Sequence, residues 1–254
     1  MYRPKAFHIQ SIVFLLVWIL MFASGCASTP EGPPSSPEKL MADGKRQLAK
    51  NSPEDAVLSF KKLLEDFPDS KERVAALILL AQAHYKAKEY DESKFHYTKF
   101  IELYPAHQHV DQARYFKAMS DFNLMEIPAK DQAHTQEALK EFEFLIQNFP
   151  KSPYRPNAEK KKQECQYKLA KSYFDVGKFY YRTGSYQSAI LRFKKFMELY
   201  PEQPFIDEAV FLLGEAYYHE QNYEQAKDFY QQLLTQHSGS PFIQEARIRL
   251  KTLR

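Results

Sequence analysis

An aromatic residue followed by proline closes an apolar-periodic stretch four times, at Phe67-Pro68, Tyr104-Pro105, Phe149-Pro150 and Tyr200-Pro201, with a weaker fifth end at His237-Ser238. The steps between these ends are 37, 45, 51 and 37 residues. From Glu38 onward apolar residues recur at three- and four-residue spacing without strand-like alternation, which predicts amphipathic helices. A proline just past a helix end stops propagation, because it donates no amide hydrogen and its ring clashes with the preceding turn. Each period also carries small residues in register. Gly44, Ala81, Gly177 and Gly214 precede Ala56, Ser93, Ala189 and Ala226, and then come Phe60, Tyr97, Phe193 and Tyr230. The small residues let two helices approach closely, and the aromatics fill the wedge beside them. Ala118, Ala138, Phe142 and Pro150 fit the third period only if eight extra residues lie between its helices. A helix pair with one apolar face cannot bury that face alone, so the pairs must stack.

This spacing is close to that of tetratricopeptide repeats, about 34 residues per helical pair. The expected fold is all-α: a right-handed superhelical solenoid of about five tetratricopeptide-like helical hairpins. Ser36-Pro37-Glu38 and Ser52-Pro53-Glu54-Asp55 read as capped helix starts, with proline at the first helical position and acids in the first turn. Gly184-Ser185 separates the helices of the fourth pair. Residues 157–182 contain no breaker except Gly177 and predict one unusually long helix. The stretch from Phe122 to Thr135, with Pro128, predicts a longer loop. Phe242 to Arg254, with Arg247, Arg249 and Lys251, predicts a solvent-facing capping helix.

The N-terminus is of a different kind. Arg3, Lys5 and His8 precede an uncharged apolar run from Ile12 to Phe22, followed by Ala23, Ser24, Gly25 and Cys26. The run is about half the ~20 residues that a membrane-spanning helix needs. It reads as a secretory signal with small residues for cleavage at 23–25 and lipidation at Cys26. Residue 27 is Ala rather than Asp, which points to the outer membrane. The expected organisation is a lipoprotein signal peptide at 1–25 and a lipidated flexible tether at 26–37, rich in proline and serine. Repeats 1–3 follow at 38–150. A long connecting helix, repeats 4 and 5 and the capping helix fill 151–254.

Removal of residues 1–25 leaves 33 basic against 32 acidic side chains, a net charge of +1. That balance argues against a nucleic-acid binder, which needs a concentrated basic face. With Cys26 lipidated, Cys165 is the remaining thiol, expected to be a small buried helix residue without a disulfide partner. No glycine-rich phosphate loop, His-Glu-x-x-His or nucleophile elbow occurs, so no cofactor, metal site or catalytic residue is expected. His107 and His109 read as a solvated loop. The run Lys160 to Lys162 reads as a solvated face.

Two binding surfaces are expected instead. Lys45, Leu48, Gln82, Tyr85, Met119, Phe122 and Asn123 fall on first helices, which line the concave side of such solenoids. Aromatics and methionine there give adaptable apolar contact, while Lys45 and Gln82 orient backbone or carboxylate groups of an extended segment. Tyr85, Met119 and Phe122 equally suit packing between repeats. The second surface gathers Tyr186, Arg192, Phe205, Phe211, Glu215, Tyr218 and His219, an aromatic and arginine mixture of the kind found in protein interfaces. Routine interhelical packing accounts for the same residues.

The lipoprotein cysteine, short tether and about five repeats together resemble the BamD (ComL-type) family of outer membrane assembly lipoproteins. The likeness extends to Ser52-Pro53-Glu54-Asp55-Ala56, Phe67-Pro68-Asp69-Ser70 and the segment from Val176 to Gly184. It implies a periplasm-facing outer membrane scaffold without catalysis. The C-terminal repeats would hold a periplasmic domain of the insertase BamA. The N-terminal repeats would receive unfolded outer membrane β-barrel proteins or their C-terminal signals. Accessory Bam lipoproteins are further implied partners. The loop in repeat three is short for the family and no extended tail follows the last repeat, so contacts made by those parts are expected to be missing. A different lipid-anchored adaptor in cell-envelope or peptidoglycan organisation remains the alternative. An enzyme with a helical accessory domain is disfavoured, because no segment is left for a catalytic domain.

Overall fold

The computed structural model describes residues 35–253. The signal segment 1–25, Cys26 and most of the tether lie outside them. Eleven helices occur among the described residues: α1 (Pro37–Ala49), α2 (Pro53–Asp66), α3 (Arg73–Lys86), α4 (Tyr90–Leu103), α5 (Val110–Asn123), α6 (Ala133–Asn148), α7 (Arg155–Arg182), α8 (Tyr186–Leu199), α9 (Ile206–His219), α10 (Tyr223–Gln236) and α11 (Ile243–Thr252). Each packs on its neighbours in sequence, giving five hairpins and a final single helix. The chain is a helical repeat solenoid. Its core is a series of apolar clusters along the stack rather than one central core, as repeat proteins require.

The repeat register explains the hairpins atom by atom. Ala56, Ser93, Ala138, Ala189 and Ala226 are all fully buried, as are Phe60, Tyr97, Phe142, Phe193 and Tyr230. Ser93 is buried without cost because Ser120 Oγ donates to its hydroxyl at 3.1 Å. The third hairpin takes six of its eight extra residues in the nine-residue loop between α5 and α6, where the other hairpins have three, and the remaining two in the first turn of α6. The other four hairpins turn through a left-handed residue at one equivalent position: Asn51, Lys88, Gly184 and Gln221. Only Gly184 reaches that conformation without side-chain crowding.

The inter-repeat ends share one backbone geometry. Phe67, Tyr104, Phe149, Tyr200 and His237 all have φ between −125° and −138°. His237 therefore ends its helix as the other four do, without a following proline. Two sequence expectations need correction. Ser36 caps α1 by accepting from the Lys39 amide, but Ser52 makes no such bond at the start of α2. Helix α11 is also not simply solvent-facing. It buries Ala246, and Arg249 turns inward to Glu215.

Candidate binding grooves

A cavity of about 820 Å³ opens between the end of α5 and the first half of α7. Helix α7 has 28 residues against 16 in α6 and 14 in α8, so it runs alongside the loop of repeat three as well as its own partner α8. Phe122, Asn123, Met125 and Pro128 form one wall. Lys160, Gln163, Glu164, Tyr167, Lys168 and Lys171 of α7 form the other. Spacing along α7 accounts for the second set, since residues three and four apart share a helix face. Lys161 lies over the Phe122 ring at 4.1 Å and pairs with Glu164 at 3.0 Å. Lys171 pairs with Asp175. Lys160 and Lys168 have no carboxylate within 4.0 Å among the described residues, so two cations remain available at an aromatic-walled groove.

The expected groove residues divide. Phe122 and Asn123 line the cavity. Asn123 Nδ2 donates to the Tyr85 hydroxyl at 3.1 Å and to the Met119 carbonyl at 2.7 Å, which ties the first helices of repeats two and three together. Tyr85 also meets Phe116 and Tyr90 edge-on, and burial raises its pKa. Gln82 lies one turn earlier on α3, half-buried. Met119 packs on the core between α5, α6 and α7. Lys45 is exposed on α1, and Leu48 packs on the first core cluster, both apart from the cavity. The α7 side of the groove was missed in the sequence, where Lys160–Lys162 read as a solvated face. Lys160 is exposed as that reading expects, while Lys161 and Lys162 are half-buried and Lys162 reaches Glu143 at 3.7 Å.

The second surface also divides. Glu215 is buried at 4 % exposure; Tyr230 Oη donates to it at 2.5 Å and Arg249 holds both its oxygens. It cannot face a partner. Phe205 is wedged between Phe174 and Phe196, with ring centroids at 4.9 and 5.2 Å, and Phe211 stacks on Phe242 at 5.1 Å. These two serve the internal packing of the last repeats. Tyr218 lies under the Arg249 guanidinium. Arg192 and His219 are exposed, and Tyr186 stacks on His219 at 4.4 Å with nearly parallel rings.

Cys165 is fully buried beside Met125 Sδ, and burial pushes its thiol up to about 12. His107 meets the Phe100 ring edge-on at 5.2 Å and accepts a hydrogen bond from the His109 amide. Among the described residues no group of His, Cys, Asp and Glu is arranged to hold a metal ion, and no helix is long and apolar enough to cross a membrane.

The sequence model of the outer membrane lipoprotein family YfiO matches residues 33–220, which spans both grooves. The chain belongs to the YfiO family of outer membrane lipoproteins. A tetratricopeptide repeat model matches residues 208–240, the fifth hairpin. Curated relatives include the outer membrane protein assembly factor BamD of Xylella fastidiosa (strain Temecula1), 26% identical over 82% of this chain and 75% of that protein. BamD of Caulobacter vibrioides is 28% identical over 79% of this chain and 68% of that one. Among solved structures, a MamA protein aligns over 78% of this chain and 90% of its own at 18% identity with a TM-score of 0.37. The P58(IPK) tetratricopeptide domain aligns over 86% and 55% at 19% identity with a TM-score of 0.44.

Proposed function

We propose that the chain is a lipid-anchored scaffold of the machinery that assembles outer membrane β-barrels, lying on the periplasmic face of that membrane and catalysing no reaction. Its family and the assembly-factor names of its relatives support this reading. The observation that carries the substrate role is the groove of about 820 Å³ with Phe122 and Tyr167 on opposite walls and Lys160 and Lys168 unpaired. Unfolded barrel proteins expose apolar and aromatic side chains, and a chain end adds a carboxylate. Stacking surfaces with free ammonium groups suit both features. Tyr85 and Asn123 extend the groove toward repeat two.

In this reading the C-terminal repeats hold the BamA periplasmic domain. Of the residues expected at that surface, Arg192 and His219 are exposed and Tyr186 stacks on His219, while Glu215, Phe205 and Phe211 support them from within. Cys26 carries the anchor, with cleavage after Ala23, Ser24 and Gly25.

A peptide from the C-terminus of a barrel protein, titrated against the protein and against Lys168→Glu, tests the groove. Affinity should fall about tenfold with unchanged helical content, the loss of roughly one charge-assisted contact. Equal affinity rejects the groove. Recovery of BamA with the detergent-solubilised protein, weakened by Arg192→Glu, tests the partner.

A further inference from the structure

The outer side of the first two repeats carries a separate cavity of about 380 Å³ that the assembly role does not use. It lies between the second helices of two consecutive hairpins, α2 and α4, with α3 beneath. Leu64, Leu77 and Leu80 form an apolar floor, the last two almost fully buried. Lys61, Arg73 and Lys99 surround the opening, against a single acid, Glu65. In the second and third repeats, cations near the core are paired, as Lys94 is with Asp121 and Lys117 with Glu141. Neither Lys61 nor Lys99 has a carboxylate within 4.0 Å among the described residues.

The rim is apolar where it meets solvent. Leu58 and Phe95 occupy the same position of α2 and α4, two residues after Ala56 and Ser93, and are 67 % and 58 % exposed. Each stands one helical turn before a lysine of the cavity, Lys61 or Lys99. His96 forms part of the wall, meets Phe95 edge-on at 5.1 Å, and leaves its Nδ1 buried without a partner. Burial, and then the charges of His84, Lys61 and Lys99, hold its pKa down to about 4. The wall is therefore a neutral imidazole beside unneutralised ammonium groups.

Exposed apolar side chains beside free cations, over an apolar floor, suit the headgroup zone of a bilayer. Each lysine or arginine near an anionic membrane surface contributes about 1 kcal/mol, and apolar side chains bury into the acyl boundary. The tether chooses this occupant. Ser36 caps α1, ten residues after Cys26. Ten residues span at most about 35 Å, so the first repeats are held near the bilayer. This step rests on the anchor assigned to Cys26. We propose that the outer groove of repeats one and two docks the headgroup phosphate of an anionic phospholipid in the leaflet that carries the anchor. Lys61, Arg73 and Lys99 hold the phosphate, and Leu58 and Phe95 enter the interface.

Every helix of the described residues lies within 37–252, so an unacylated chain of residues 27–254 carries the repeats. Its co-sedimentation with phosphatidylcholine vesicles, with and without phosphatidylglycerol, tests the site. Binding should require phosphatidylglycerol. Lys61→Glu with Lys99→Glu should weaken it at least about tenfold. Phe95→Ser, which leaves the charge unchanged, should also weaken it, whereas Arg247→Glu with Lys251→Glu on α11 should not. The His96 pKa, followed by NMR, should rise when phosphatidylglycerol binds. Equal losses from the two charge reversals, or no preference for phosphatidylglycerol, overturn the site. Displacement by inorganic phosphate or polyglutamate at matched ionic strength overturns it in favour of a free anion or an acidic protein. The mass of the natural mature protein checks the anchor separately. An acylated protein without selective binding rejects the site alone, and selective binding by a protein that proves unacylated rejects only the tether argument.

Discussion

Gly44 and the Phe60 ring stand closer than any side chain at 44 would allow: a Cβ there would lie 2.5 Å from Phe60 Cε1. Gly177 with Phe193 and Gly214 with Tyr230 repeat the contact at 2.7 and 2.8 Å. This is the contact on which the first, fourth and fifth hairpins close. Gly44→Ala gains up to about 1 kcal/mol of helix propensity and loses about 1–3 kcal/mol to overpacking against a fully buried ring. The expected result is a net destabilisation of about 1 kcal/mol, read by urea denaturation. Repeat two already holds Ala81 opposite Tyr97, so Ala is the mildest test and Gly44→Leu should cost far more.

Arg249 and Glu215 fasten α11 to α9. Removing one member of a buried pair costs about 3–5 kcal/mol, and the partial exposure of Arg249 reduces that to about 2 kcal/mol. Arg249→Ala should lower the thermal midpoint by several degrees. Glu215→Gln with Arg249→Met should recover most of it, because glutamine still accepts from Tyr230 and no charge is left buried. A double variant as unstable as Arg249→Ala would contradict this account.

The hairpins were legible in the sequence and the grooves only in part, for one physical reason. Gly44, Ala56 and Phe60 lie within one hairpin, so their spacing alone dictates their contact. Likewise the length of α7 follows from the lack of any breaker but Gly177 between Asn157 and Arg182. Tyr167 and Lys168 reach the neighbourhood of Phe122 only through stacking of repeat four on repeat three across a loop of irregular length. No periodicity encodes that. Glu215 read as a surface residue because its partner Arg249 lies 34 residues away on a helix that docks last. Phe205 and Phe211 had the composition of an interface, but Phe174, Phe196 and Phe242 cover them.

Cys165 should be inert in the folded protein. With its thiol pushed up to about 12, chiefly by burial, the thiolate fraction at pH 8 is roughly one in ten thousand. Ellman's reagent should leave residues 27–254 unmodified until denaturant is added, and then titrate one thiol. Rapid labelling of the native protein would show that α7 opens next to Met125.

His96 links stability to pH. Its folded pKa of about 4 lies below the ordinary histidine value of 6.5, so the unfolded chain binds a proton that the folded chain excludes. Stability from this group is therefore complete above about pH 6.5 and is lost as pH falls toward 4. Partial exposure of the ring limits the loss to about 1–2 kcal/mol. His96→Gln should flatten that part of the stability profile. An unchanged slope would show that the pH dependence does not come from His96.

Gln132 governs the loop that borders the groove between α5 and α7. Its side-chain amide donates to the carbonyls of Ile127 and Lys130 at 2.9 and 3.0 Å, and its oxygen accepts from Thr135 Oγ1 at 2.9 Å. These three bonds fold the residues from Ile127 to Lys130 back over the start of α6 and set Pro128 at the cavity edge. Gln132→Ala removes all of them and leaves the buried Thr135 hydroxyl without its acceptor, at a cost of about 1–3 kcal/mol. The loss is local, because the hairpin contact of Ala118 and Ala138 with Phe142 lies deeper and is untouched. Limited proteolysis should therefore speed up within residues 124–132 while the thermal midpoint falls by only a few degrees. Peptide affinity at the groove should fall with it, since one wall is no longer fixed. Faster cleavage with unchanged affinity would mean that α7 alone forms the recognition surface.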